Sequence, residues 1–229
     1  MKKNDIESDE KILELRQVCN IAFDKGLIDT HSGNIGMGIR DNVLITKTGR
    51  SLIDLQSSDF TTVPIMKSEK DTKSMDGDAS SEIGVYRFIL KSFPCSTIFH
   101  SHPPNAIALT LNQHKNSNTE NQEPESKPCL LKSLREKYSG LDEIVPLDFE
   151  SAYFFPKIYV FPLNLMENIK NDTLKTTFEA KDIFKENGVF MIKSHGSFAW
   201  GKTPLDALRW TMVLESSAKI ILKCLPIKE

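Results

Sequence analysis

The stretch TIFHSHPPNAIAL, residues 97–109, changes character twice. Residues 97–100 are β-branched, aromatic and apolar, the pattern of a buried strand. Pro103 and Pro104 cannot donate to a sheet ladder, so the strand must end before them. From Asn105 onward the pattern reads as a helix over 105–111. Side chains alternate along a strand, so His100 and His102 project together if extended backbone continues through Ser101. The two imidazoles then stand at a strand exit, where α/β folds place their chemistry. Neutral imidazole is the commonest protein ligand for zinc, and a pair on one face offers two of the three ligands a site needs.

The chain has five histidines. His195, in VFMIKSHGSFAW, also leaves an apolar strand, and Gly196 beside it permits a tight turn. His114 lies in a polar stretch and reads as solvated. His31 precedes a glycine-rich turn. An HxH pair alone is a weak signal and fits two polar residues at a strand edge better than it fits metal binding. A third histidine at a second strand exit strengthens the metal reading.

Three further segments are rich in small and polar residues. DASSEIGVYRFI places Ser80, Ser81 and Glu82 at the start of an expected helix over 79–92. Glu82 fits either a capping box or an acidic group working beside the histidines. THSGNIGMGI contains Gly33, Asn34, Gly36 and Gly38. Its spacing is not a dinucleotide fingerprint, and it leads into a strand. The turn TKTG covers residues 46–49. Two such turns and a Ser-Ser helix start would together make an anion pocket from amides and hydroxyls.

Around these segments helices and strands are interspersed, often with two adjacent strands between helices. A helix over 9–25 is capped by Ser8 and stopped by Gly26, with Ile12, Leu15, Cys19, Ala22 and Phe23 as its apolar face. Strands follow over 34–39, 43–46 and 61–65, the first two joined by an Asp41-Asn42 turn. Later strands are expected over 143–147, 157–161, 188–193 and 197–200, with a helix over 172–186. Thr203-Pro204 supplies an N-cap and a first-position proline for a last helix carrying Leu208, Met212, Leu214, Ile220 and Ile221. Residues 112–128 are polar with two prolines and read as a surface insertion. Residues 1–229 are expected to form one mixed α/β domain.

The whole chain is 229 residues, 39% hydrophobic and 26% charged, with a net charge of −2 and a pI of about 6.2. That balance gives no electrostatic case for nucleic acid or an anionic membrane. No apolar run is long enough to span a bilayer, and the charged N-terminus lacks the apolar core of a signal peptide. Cys19, Cys95, Cys129 and Cys224 are scattered, with no metal-type spacing. The expectation is a cytoplasmic protein with reduced thiols.

SGNIG, ITKTG, SSE, HSHPP and SHGSFAWGKTPLDAL, followed by LESSAK, occur in one order along the chain. In that order they resemble the class II aldolase/adducin family over almost the whole length. The resemblance implies a three-layer α/β/α fold around a mainly antiparallel sheet, assembled as a homotetramer. It implies one divalent metal per subunit, typically zinc, on His100, His102 and His195. It makes Glu82 the acidic residue beside the metal. Gly33, Asn34, Thr48, Gly49, Ser80 and Ser81 become the phosphate pocket of a sugar-phosphate substrate. Aldolase members take a proton-donating tyrosine from the neighbouring subunit. Phe149 stands at its nearest match here, and Tyr153 is the candidate in its place.

The activity implied is retro-aldol cleavage of a fuculose-phosphate-type keto-sugar to dihydroxyacetone phosphate and an aldehyde. A pentulose-phosphate 4-epimerase or a methylthioribulose-phosphate dehydratase would share the fold and metal set. A non-catalytic adducin-like interaction protein would share the fold without the metal.

Overall fold

The computed structural model describes residues 3–66, 76–92, 96–112, 142–163 and 187–224. The chain opens with α1 (Lys3–Asp24), the hairpin β1 (Asn34–Ile39) and β2 (Asn42–Thr46), and β3 (Phe60–Pro64). Next come α2 (Ile83–Ser92), β4 (Thr97–Ser101) and α3 (Pro104–Asn112). After these lie β5 (Asp142–Ile144), α4 (Phe149–Phe154) and β6 (Ile158–Phe161). The last elements are β7 (Gly188–Ile192), β8 (Gly196–Gly201) and α5 (Pro204–Cys224).

The strands form one eight-stranded sheet in the order β3-β2-β1-β4-β8-β7-β6-β5. Every neighbouring pair is antiparallel except β6 with β7. Both faces are covered, which is why GVFMI and TIFHS read as continuous apolar runs with little alternation. One face carries Val43, Ile45, Ile98, Phe190, Phe198 and Trp200 and packs on Val85, Tyr86 and Ile89 of α2. On the other face, Leu44 and Phe99 meet Leu15 and Cys19 of α1 and Leu208 of α5. Val189, Met191 and Ala199 extend that face to Leu109 of α3 and Leu214 of α5. Each fully buried side chain of this size contributes about 1.5–3 kcal/mol, so neither layer of helices is dispensable. The fold is the expected three-layer α/β/α arrangement. Among the described residues no helix is long and apolar enough to cross a membrane.

Several local expectations are corrected. α1 starts at Lys3, so Ser8 lies within it and does not cap it. Phe23 is 41% exposed, and Val18 takes its place on the buried face. The β1–β2 loop is Arg40-Asp41, because Ile39 pairs with Asn42. Arg40 takes the positive φ, 55°, that a tight two-residue hairpin requires.

α2 starts at Ile83, four residues later than expected. Ala79 is drawn into a β-bridge with Lys47, and the Ser80 amide donates to the Thr46 carbonyl at 3.1 Å. Those backbone groups serve the sheet edge and are lost to a helix. α4 was not expected. Asp148 caps it by accepting from the Ser151 amide at 2.8 Å. On the last helix Leu208 and Leu214 are buried, whereas Met212 and Ile220 are each 36% exposed. The expected helix over 172–186, and the insertion over 112–128 beyond Asn112, lie outside the described residues.

Candidate metal centre

β4 and β8 are the central pair of the sheet, and they bring the three histidines together. His100 ends the apolar run of β4, His102 follows its last residue, and His195 sits in the turn between β7 and β8. His100 is 1% exposed. Its ring lies over Phe198 with centroids 4.3 Å apart. Nδ1 of His100 donates to the Ser197 carbonyl at 2.9 Å. That bond fixes the tautomer and leaves Nε2 with its lone pair turned inward. Nε2 of His102 lies 3.0 Å from Nε2 of His100. One ring nitrogen from each of His100, His102 and His195 lies within 4.8 Å of the others. Tetrahedral zinc, with Zn–N bonds of about 2.0–2.1 Å, separates its ligand nitrogens by about 3.4 Å, inside that spread.

Glu82 completes the cluster. It is 7% exposed. Oε1 accepts from Nε2 of His195 at 2.9 Å, and Oε2 accepts from Nδ2 of Asn34 at 2.6 Å. Nε2 of His100 lies 3.4 Å from Oε2. Burial works against charge on the Glu82 carboxyl. The adjacent His100 and the hydrogen bonds from His195 and Asn34 outweigh it and hold the pKa down at about 2. Burial pushes His100 down to about 4. His102 is also lowered, by burial and then by His195. At neutral pH the centre therefore holds a charged carboxylate beside an uncharged, buried imidazole. Three nitrogens and a carboxylate, with His100 already oriented by a backbone carbonyl, fit a divalent metal of the zinc type.

Gly196 serves this cluster in a way the sequence reading missed. Its φ is not positive; the positive φ, 57°, belongs to Ser194. A Cβ on Gly196 would lie 2.5 Å from the Ser101 carbonyl oxygen, 2.7 Å from Cδ2 of His102 and 2.9 Å from Cε1 of His100. The glycine is there to make room for the rings.

The expected anion-binding residues meet only in part. The Thr48 amide donates to the Asp78 carbonyl at 2.9 Å, and its hydroxyl to the Ala79 carbonyl at 2.8 Å. Ser80 is buried, and its hydroxyl accepts from the Glu82 amide at 3.3 Å. The loop after β2 thus sits against the segment that leads to Glu82. Ser81 is exposed. Gly49 has open space around its Cα, and Gly33 packs against the His100 carbonyl. Asn34 pairs with His100 across β1 and β4 and turns its amide to Glu82. The Glu82 carboxylate does not serve as a capping box; it faces His195 and Asn34.

Tyr153 stands apart. It is 75% exposed on α4, with its ring edge on Phe154. Phe149 on the same helix is 85% exposed.

Two supporting groups carried no sequence signal. The Ser197 carbonyl is a backbone atom, and any residue there would supply one. The Tyr86 hydroxyl, fully buried, donates to the Asn34 carbonyl at 2.9 Å and fixes the strand beside His100. Only the packing of α2 on β1 makes that contact.

Solved structures share this arrangement of elements. L-Fuculose-1-phosphate aldolase from Thermus thermophilus superposes with a TM-score of 0.67 at 22% identity, covering 93% of each chain. YgbL from Escherichia coli, whose assignment spans aldolase, epimerase and decarboxylase, gives 0.66 at 20% identity over 97% of this chain and 94% of its own. A sugar-phosphate aldolase from Thermotoga maritima gives 0.59 at 18% identity over 94% of each chain. At these identities the likeness speaks for the fold. The sequence itself matches the model of the family described as Class II Aldolase and Adducin N-terminal domain over residues 13–222. With that match spanning both strand exits that carry the histidines, the chain belongs to the class II aldolase and adducin family.

Proposed function

We propose that the protein is a divalent-metal-dependent lyase. It cleaves a phosphorylated keto-sugar of the fuculose-phosphate type to dihydroxyacetone phosphate and an aldehyde. The observation that carries the reading is the convergence of His100, His102 and His195 beside the charged Glu82. A divalent ion there, zinc in this reading, supplies Lewis-acid stabilisation of negative charge developing on the substrate's oxygens. His100, His102 and His195 hold it, one ion per subunit. Glu82 moves the substrate proton through Oε1. The same nitrogen of His195 cannot donate to Glu82 and ligate a cation at once, so loading the histidines frees Oε1 for that role. Asn34 keeps its bond to Oε2 and orients the carboxylate.

Gly33, Asn34, Thr48, Gly49, Ser80 and Ser81 hold the phosphate on this reading. The contact between the loop after β2 and the segment before α2 supports it. Such a pocket uses amides and hydroxyls and keeps the phosphate away from the reacting carbons. Tyr153 is the proton donor, offered to the neighbouring subunit of a homotetramer; its exposure suits a side chain that serves another copy.

The test begins with metal analysis of the purified protein. Metal-loaded protein is then incubated separately with fuculose phosphate and with ribulose phosphate. Triose phosphate from the first supports the lyase. Xylulose phosphate from the second, without triose phosphate, replaces it with the epimerase. Protein that holds no metal and takes up none on reconstitution overturns the enzyme reading in favour of an adducin-like role.

A further inference from the structure

We infer that Thr110 is a positioning residue for the candidate metal centre: its hydroxyl fixes the turn that aims His195. The inference rests on reading the three histidines as a metal site. Thr110 lies on α3 and is 0% exposed. Its Oγ1 donates to the Ile107 carbonyl at 2.7 Å and accepts from the Ser194 amide at 3.2 Å. A hydroxyl has one hydrogen and two lone pairs. Donation within the helix sets the rotor, and a lone pair is left for Ser194.

Ser194 needs such a hold. Its φ is 57°, in the left-handed region that favours glycine. The turn is closed by the His195 amide donating to the Ile192 carbonyl at 3.1 Å. The Ser194 side chain does not brace it from outside, since its hydroxyl donates to the adjacent Lys193 carbonyl at 2.7 Å. The brace comes from α3.

The same helix governs His102. α3 begins two residues after it, and the helix start is clamped by Glu215 of α5. The Asn105 amide donates to Oε1 of Glu215 at 3.1 Å, and the Asn105 side chain does so at 2.6 Å. The Ala106 amide donates to Oε2 at 3.0 Å. One anchored helix therefore adjoins His102 at its start and holds the His195 turn near its end. Thr110 is the link that couples two ligands from distant parts of the chain.

The test uses full-length wild-type protein, Thr110→Val and Thr110→Ser, all stripped of metal. Each is titrated with Zn2+ against a chromophoric chelator and with Co2+ by visible absorption. Circular dichroism checks the fold. Valine keeps the shape and removes the acceptor, so T110V is expected to lose about 10- to 100-fold in metal affinity and to shift the Co2+ bands. T110S keeps the hydroxyl and is expected to bind within about 2-fold of wild type, with the wild-type Co2+ spectrum. Should T110V fail to fold, Thr110→Ala removes the same acceptor and carries the same expectation. Hydroxyl-free protein that binds like wild type with an unchanged spectrum overturns this inference alone. So does T110S losing as much as T110V, which would assign the effect to the methyl group. Wild-type protein that binds neither ion overturns the metal reading itself.

Discussion

At Gly196 the missing side chain is what matters. The Ser101 carbonyl it faces is held by pairing of β4 with β8, so it cannot retreat from an added Cβ. The His100 and His102 rings must then shift. Gly196→Ala is expected to lower metal affinity by at least about 10-fold and to destabilise the fold by about 1–3 kcal/mol, the range for overpacking. Metal titration and denaturant unfolding of the variant check both, and wild-type values in both would refute the role assigned to the glycine.

Glu82 tests the chemistry more directly. Glu82→Gln keeps the volume and a hydrogen-bonding group towards Asn34 and His195, but removes the charge. Metal affinity should stay within a few-fold of wild type. Turnover on any phosphorylated ketose the parent accepts should fall by about 100-fold or more, the usual scale of a lost general acid–base group. Unchanged turnover would show that Glu82 only orients its neighbours.

Among the elements, α5 has its start written in local sequence. Thr203 accepts from the Asp206 amide at 3.1 Å, and the Thr203 amide donates back to the Asp206 carboxylate at 3.1 Å, a reciprocal cap with Pro204 at the first helical position. Thr203→Ala should cost about 1 kcal/mol in denaturant unfolding, with metal affinity unchanged. A loss of metal affinity as large as that of a histidine variant would contradict this purely structural role. Signals of this kind were legible because both partners lie within one turn of chain. The strand exits at His100 and His195 were legible for a related reason: an apolar run and its breakers are adjacent in sequence. What could not be read depends on register. The local sequence marks Gly196 as a turn glycine, and only the pairing of Ser101 with Ser197 gives it the task of clearing space for the rings. Residues 79–82 have a helical pattern, and the bridge from Lys47 to Ala79, distant in sequence, overrides it. The Asn34 amide reaches Glu82 because β1 pairs with β2 and Lys47, next after β2, bridges the segment that leads to Glu82. α4, at six residues, is too short for a hydrophobic period to show.

For the molecule as a whole, the three ligands come from separate parts of one sheet. His100 belongs to β4, His102 to its exit, and His195 to the β7–β8 turn, so the cluster forms only when the central strands are paired. The unfolded chain offers no comparable site, and metal binding should stabilise the native state by mass action. At a free metal concentration 100 times the dissociation constant the gain is about 2.7 kcal/mol. For a chain of this size that corresponds to a rise in Tm of roughly 5–10 °C. Calorimetry should show this shift with Zn2+, and EDTA should reverse it. His195→Ala should show little or no shift at the same concentration. Its metal-stripped Tm should fall by a few degrees, because the variant loses the 2.9 Å bond that His195 donates to the buried Glu82 carboxylate, and its response to Zn2+ is read against that lower value. A Zn2+-dependent shift that persists in His195→Ala would place the stabilising metal elsewhere on the protein. No shift in the wild type would mean that the paired strands bring the imidazoles together without making a site for an ion.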